Sequence, residues 1–244
     1  MEKLSKAAAF LRKFKKTSGC GAVVVAAGSA RRMDGVDKVM ADLNGKPLFL
    51  HCVESLERCG SISEIVLVTR QDLILPIHTI CRDAGLTKVT AVIAGGDTRQ
   101  ASVARGLSCL AGRVKLAAIH DAARPLASEA LIERTVRAAQ SVSAAAPALP
   151  VKDTIKVAKG GVVQKTPDRN LLFAVQTPQV FDFDLIRGAL RKAEEENVVV
   201  TDDCSAVEQL GVPVKLVEGE ERNFKVTTPM DLALARMLLQ EETT

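Results

Sequence analysis

The chain has 244 residues, 47% of them hydrophobic and 25% charged, with 33 Lys and Arg against 29 Asp and Glu. That is enough apolar material for one large α/β domain and too little bias for a disordered or fibrous chain, and no apolar run approaches the roughly 20 residues of a membrane helix. The net charge of +4 is uneven: residues 1–19 hold six basic side chains (Lys3, Lys6, Arg12, Lys13, Lys15, Lys16) against Glu2, a charge of +5, which leaves −1 for the remainder. A nearly neutral body without Trp or Tyr argues against a nucleic-acid face.

The basic leader has no continuous apolar stretch and is a poor signal peptide; it reads as a basic tail or short helix ahead of a domain spanning 20–244. Six cysteines (Cys20, Cys52, Cys59, Cys81, Cys109, Cys204), none in a C-x-x-C pair, read as buried free thiols of a reducing, cytoplasmic compartment.

From residue 22 onward short β-rich runs alternate with helical ones. The strands are expected at 22–27, 64–69, 88–95 and 115–121, and the helices at 47–59, 72–84, 99–110 and 128–141, the last opened by a Ser128 cap. This alternation predicts a Rossmann-like, doubly wound α/β fold with a mostly parallel sheet. After 144 the rhythm changes: a strand, a Lys-Gly-Gly turn at 159–161 and a second strand predict a projecting β-hairpin arm over about 150–176. Helix is expected again at 182–196 and 228–242, with a strand at 212–219 between them.

In such sheets the ligand crevice lies beyond the carboxyl ends of the strands. Three loops fall there: the turn 26–38 in AAGSARRM and DK, the run GGDTR, and HDAARP. The first offers Gly28, Ser29 and three cations, Arg31, Arg32 and Lys38, suited to an anion, yet it matches neither the P-loop nor the dinucleotide glycine pattern. Asp121 is either a ligand for a ribose hydroxyl or a magnesium ion, or a turn cap; Asp153, Thr154 and Lys225 are equally open to structural readings. Cations in four separate loops (Arg32 with Lys38, Arg124, Arg169, Lys225) are more than one monophosphate needs, and phosphoryl or nucleotidyl transfer fits them.

The ordered set AAGSARRM, DK, AGGDTRQASV, HDAARP, VKDTIK, DRN, QTPQ, TDD and NFKVT, from about 22 to 236, closely resembles the 2-C-methyl-D-erythritol 4-phosphate cytidylyltransferase family of the non-mevalonate isoprenoid pathway. The resemblance implies a nucleotidyltransferase that uses CTP, a sugar-alcohol phosphate and Mg²⁺ or another divalent cation, and a homodimer built by the arm. It implies Arg32 and Lys38 as transition-state cations, and Arg169, acting across the dimer, and Lys225 as the acceptor-phosphate cations. Ala26, Ala27, Gly28, Ser29, Gly96, Asp97 and Ser102 would bind the nucleotide. Asp121, Arg124, Thr154, Thr177 and Thr201 would form the acceptor side, with Asp121 the candidate protein ligand for the metal. A ribitol 5-phosphate cytidylyltransferase, which shares much of the motif set, and a non-catalytic nucleotide-binding relative are the rival readings.

Departures are Ala30 and Val39, and Asp37 where the family usually has proline. Asp37 puts a negative charge beside Lys38, which would raise the lysine's pKa or weaken phosphate binding.

Overall fold

The computed structural model describes residues 19–28, 37–110 and 114–241. Its centre is an eight-stranded sheet. Strands β1 (Cys20–Val25), β4 (Ile62–Thr69), β5 (Val89–Ala94) and β6 (Leu116–Asp121) are mutually parallel, in the order β6-β1-β4-β5. β1, β4 and β6 are buried along almost their whole length, as parallel strands covered on both faces must be. The intervening pieces β2 (Asp42–Leu43) and β3 (Lys46–Pro47) form a two-stranded sheet that the sequence pattern did not announce.

Alternation along β1 divides the interior. Cys20, Ala22 and Val24 face one side, with Phe49, Cys52, Val53 and Leu56 of α1 (Leu48–Arg58), Ile77 and Cys81 of α2 (Ile74–Asp83), and Ile132, Val136 and Ala139 of α4 (Glu129–Val142). Val23 faces the other side, with Val103 and Leu107 of α3 (Arg99–Cys109), Ile186 and Leu190 of α5 (Phe183–Glu195), and Cys204 and Val207 of α6 (Asp203–Glu208). The mostly parallel, doubly wound arrangement expected from the sequence is therefore present. A third cluster joins Leu43, Leu48 and Leu126 to Val226, Leu232 and Ala235, seating α7 (Pro229–Glu241) beside the β2–β3 piece. Ser128 caps α4 by accepting from Leu131 N at 3.0 Å.

The region after α4 departs from the expected hairpin. β7 (Ala144–Pro150) belongs to the main sheet, and the chain returns to it as β10 (Phe173–Val175) and β11 (Gln179–Asp182). Both run antiparallel to β7, while β11 also pairs with β6 and β12 (Lys215–Glu218) adds in parallel to β7. Four residues, 176–179, face only Ala146 and Pro147 across the gap between the Val175–Ala148 and Val180–Ala145 pairs, a wide bulge holding the cis Thr177–Pro178 bond. Pro147 accepts from Gln176 N at 2.7 Å, so its N–H-less nitrogen faces the same irregular edge, which is how a proline fits inside the sheet.

Only 151–172 leave the sheet, so the arm is shorter at both ends than its expected range. Its neck is closed by Val151 N donating to Leu172 O at 3.1 Å. Beyond the neck β8 (Val157–Lys159) and β9 (Val162–Lys165) pair with each other. Their turn, Gly160–Gly161, needs positive φ at both positions (58° and 80°), which only glycine adopts cheaply. Five of the six free cysteines are buried as expected; Cys109 is exposed. The leader 1–18 lies outside the described residues.

Candidate active site

A cavity of about 430 Å³ opens beyond the carboxyl ends of β1, β5 and β6. Its lining brings together nine of the residues singled out from the sequence: Ala26, Ala27, Gly28, Lys38, Gly96, Asp97, Ser102, Asp121 and Lys225. Val25, Val39, Thr98, Arg99 and Ala123 complete it. Ser29 and Arg32 lie outside the described residues.

The nucleotide side is a tight turn between β5 and α3. Thr98 caps α3 through Ala101 N at 3.0 Å, and Ser102 Oγ donates to Thr98 O at 2.9 Å while accepting from Gly96 N at 3.1 Å. A Cβ on Gly95 would stand 2.6 Å from the Ala27 Cβ and 2.7 Å from Ser102 Oγ, and one on Gly96 2.5 Å from the Ala101 Cβ. Gly95 thus lets the β1 and β5 loops close on one another, and Gly96 lets the turn fold against the start of α3. Gly28 meets nothing within 4 Å and faces open space.

The opposite wall is charged. Lys225 Nζ donates to Asp121 Oδ2 at 2.6 Å, and Arg99 Nη2 lies 3.5 Å from Asp121 Oδ1 and 2.7 Å from Asp203 Oδ2. Burial alone would raise the Asp121 pKa, but Arg99 and then Lys225 outweigh it and bring it down to about 2. Asp203 is fully buried, and burial pushes its pKa upward against the pull of Arg99. Arg99 lies in the GGDTR run, where the sequence alone assigns it no role. Its place at the first turn of α3, facing two carboxylates from β6 and α6, could not be read from spacing.

The amide residues of QTPQ and NFKVT are the framework of this wall. Thr177 Oγ1 accepts from Asp121 N at 3.1 Å and is hydrogen-bonded to His120 Nδ1 at 2.8 Å. Burial first, and then the charge of Arg124, lower the His120 pKa to about 4, which keeps the ring neutral. Asn223 Nδ2 donates to Thr177 O at 2.9 Å and to Gln176 Oε1 at 3.2 Å, fixing the segment that delivers Lys225. Gln179 Oε1 accepts from Asp203 N and Cys204 N at 3.0 and 3.1 Å, and its Nε2 donates to Asp202 Oδ2 at 2.8 Å, clamping the start of α6.

Five expected acceptor-side residues are not part of the cavity lining. Thr177 is buried beneath Asp121 as just described. Arg124 donates from Nη1 to Asn223 O at 2.6 Å, and burial lowers its pKa against the pull of Asp121. Thr201 is exposed at the Ser205 capping turn. Thr154 and Arg169 are exposed on the arm, where Asp168 caps the turn carrying Arg169 and Arg169 Nη1 donates to Lys152 O at 2.8 Å. Asp37 Oδ1 accepts from Val39 N at 3.1 Å and its Oδ2 pairs with Arg70.

A sequence model of the 2-C-methyl-D-erythritol 4-phosphate cytidylyltransferase family, IspD, matches residues 20–241, which takes in every part of this cavity. The chain belongs to that family. The cytidylyltransferase of Desulforamulus reducens is 44% identical over 90% of this chain and 95% of its own, and that of Dehalococcoides mccartyi 41% over 91% and 96%. Among solved structures, the 4-diphosphocytidyl-2C-methyl-D-erythritol synthase of Anaerococcus prevotii superposes with a TM-score of 0.81 at 32% identity, covering 91% of this chain and 96% of that one. The Thermus thermophilus cytidylyltransferase gives 0.75 at 33%, covering 91% and 99%. The family is therefore matched in sequence and in fold.

Proposed function

We propose that this cavity transfers CMP from CTP to 2-C-methyl-D-erythritol 4-phosphate, forming 4-diphosphocytidyl-2-C-methyl-D-erythritol and pyrophosphate in isoprenoid precursor synthesis. The observation that carries the reading is the meeting, in one cavity, of the glycine turn at Gly95–Ser102 with Lys38, Lys225 and Asp121. The enzyme is a nucleotidyltransferase, and its chemistry needs what this lining offers.

An oxygen of the acceptor phosphate attacks the α-phosphorus of CTP. A new P–O bond forms, the bond to the β-phosphate breaks, and pyrophosphate leaves with the electron pair. Charge grows on the nonbridging and leaving oxygens, so cations held at that place lower the barrier by several kcal/mol, with no covalent enzyme intermediate required. Lys38, with Arg32, supplies those cations. Lys225 and the partner's Arg169 hold the acceptor phosphate against the repulsion of the triphosphate. Gly96, Asp97 and Ser102, with Ala26, Ala27, Gly28 and Ser29, hold the nucleotide. Arg124, Thr154, Thr177 and Thr201 serve the acceptor side, Arg124 and Thr177 through the backbone that carries Lys225 and Asp121.

Among the described residues no group of three or more His, Cys, Asp or Glu forms a metal cage, and two carboxylates line the cavity, Asp97 on the nucleotide side and Asp121, whose pKa is held down by Arg99 and Lys225, on the opposite wall. That donor set fits Mg²⁺ taken up mainly by phosphate oxygens and water, with Asp121 the one protein ligand. The ion would neutralise triphosphate charge and orient the chain of phosphates.

The arm displays Val157, Val162, Val163 and Leu171 to solvent, and Phe173 of β10 stands exposed beside its neck, a surface suited to a second copy of the chain, so the working unit is a homodimer. Six free thiols suit a reducing, cytoplasmic setting. No helix among the described residues is long and apolar enough to cross a membrane.

The deciding experiment is pyrophosphate release with each of the four nucleoside triphosphates, using methylerythritol phosphate and ribitol 5-phosphate side by side. Turnover confined to CTP and the first alcohol is the expected result. Higher kcat/KM on ribitol phosphate reassigns the acceptor, and CTP binding without release of pyrophosphate would mark a non-catalytic relative.

A further inference from the structure

Lys38 opens a short 3₁₀ turn, Lys38–Met40, and the residue before it governs how that turn is entered. Asp37 has φ −66° and ψ 113°, extended and within the range a proline ring imposes. Its Oδ1 caps the turn through Val39 N, and Met40 N closes the turn on Asp37 O at 3.0 Å. Its second oxygen meets Arg70 Nη1, where Arg70 follows the last residue of β4. The same guanidinium grips Asp72 with a two-point fork, Nε to Oδ1 at 3.0 Å and Nη2 to Oδ2 at 2.8 Å. Asp37 is the less exposed partner, with 17% of its side chain accessible against 37% for Arg70.

Two consequences follow from this arrangement. The side-chain cap and the ion pair fix by non-covalent means the backbone entry that a proline would fix by its ring. The carboxylate beside Lys38 also has its charge paired with Arg70. Val39, the next residue, is 4% exposed and packs in the core, which anchors the far side of the turn.

We propose that the Asp37–Arg70 pair is the positioning device for Lys38, replacing the ring of a proline with a cap tied to the end of β4. Arg70 and Asp37 are positioning residues; they act through Lys38. The inference rests on Lys38 having the role given under the proposed function.

The test is a six-protein cycle: the wild type, Arg70→Gln, Asp37→Ala, Asp37→Ala with Arg70→Gln, Asp37→Pro, and Asp37→Pro with Arg70→Gln. For each protein kcat and KM are measured, together with calorimetric affinity for CTP with Mg²⁺, which requires no turnover, and the thermal midpoint. Arg70→Gln leaves an unanswered carboxylate beside Lys38 and is expected to lose about 30-fold in kcat, with CTP affinity weakened about 5-fold. Asp37→Ala, which removes the cap and the charge together, loses less, about 10-fold in kcat. The Ala double variant returns to the Asp37→Ala level. Asp37→Pro stays within about 3-fold of the wild type, and adding Arg70→Gln to it changes nothing further.

A loss on Arg70→Gln that is the same in the Pro background, or no loss in either kcat or CTP affinity, overturns the proposal. So does a loss that follows the thermal midpoint rather than the residue at 37. A wild type that releases no pyrophosphate sinks the functional reading instead, and the calorimetric cycle then still decides whether the pair shapes the nucleotide site.

Discussion

The cavity and the arm are built on opposite principles. Around the cavity the polar groups answer one another within one chain: Gln176, Thr177, Gln179 and Asn223 spend their amides and hydroxyl on the backbone that holds Asp121, Lys225 and Asp203. On the arm β8 and β9 pair only with each other, and large apolar side chains stand in solvent, Leu171 at 78% and Val162 at 64%. An isolated two-stranded hairpin is marginal in water, so the arm makes sense with a partner and the cavity frame does not need one. The contrast locates preorganisation in the body of the chain; under the proposed function, Arg169 of a second copy would complete the acceptor side.

The sharpest probe of the cavity half is Lys38→Ala. We expect kcat to fall about 1000-fold while CTP affinity changes less than about 5-fold, because the cation acts on charge that develops after binding. Steady-state kinetics with calorimetry separates the two, and an equal loss in both would make Lys38 a binding residue only.

At the base of the arm, Leu171→Asp combined with Phe173→Asp of β10 should give a monomer by analytical ultracentrifugation, with activity reduced about 100-fold as the partner's arginine is withdrawn. Complementation is the finer version. Lys38→Ala and Arg169→Ala protomers, each nearly inactive, should regain about a quarter of wild-type activity when mixed equally and refolded, since half the dimers are mixed and each carries one intact site. No recovery would place Arg169 in its own chain's site.

A smaller effect is expected at the frame. Asp203→Asn removes the charge that tethers Arg99, and CTP affinity should fall about 10-fold with kcat held within about 3-fold. An unchanged affinity would leave Asp203 as packing for α6 alone.

The smallest effect concerns the segment after Lys225. Asp231 accepts from Thr227 N at 2.7 Å, Thr227 Oγ1 at 2.9 Å and Thr228 N at 2.8 Å. Burial would raise its pKa, but these bonds win and lower it. A carboxylate depressed in the folded state adds stability above its unfolded pKa of about 3.9 and loses it as pH falls below that value. Asp231→Asn should therefore melt slightly earlier at pH 7, and the gap should narrow as the pH is lowered below about 3.9 and through the depressed folded-state pKa.

The parallel strands were legible because strands covered on both faces write themselves as continuous apolar runs, as AVVV and EIVLV do. β11 was not: it is four residues long, follows Pro178, and owes its burial to β6 and β7 on its two sides. α6, with six residues, is too short to show a period, and the strand expected after 144 belongs to the main sheet as β7, a placement that its pattern, broken by two prolines, does not announce. At the site, lysines, arginines and aspartates in strand-end loops declare their chemistry by type. Gln179, Asn223 and Asp203 do not, because an amide or a buried acid takes its role from whatever the fold sets across from it. Asp37 is the clearest case: beside Lys38 in sequence it reads as an antagonist, and only Arg70, 33 positions away, turns it into a support.

The neck at Val151 and Leu172 bears on how the enzyme can be cut. One residue past Leu172 the chain is already paired in the sheet, and five past it Thr177 carries Asp121 from below. A deletion that joins the two neck residues through a tight turn keeps the Phe173–Pro150 pairing and should yield a folded body with its nucleotide wall intact. A cut that takes Pro150 or Phe173 would remove the first pair of the β7–β10 ladder. The arm is a detachable handle, and the place to detach it is a single hydrogen bond wide.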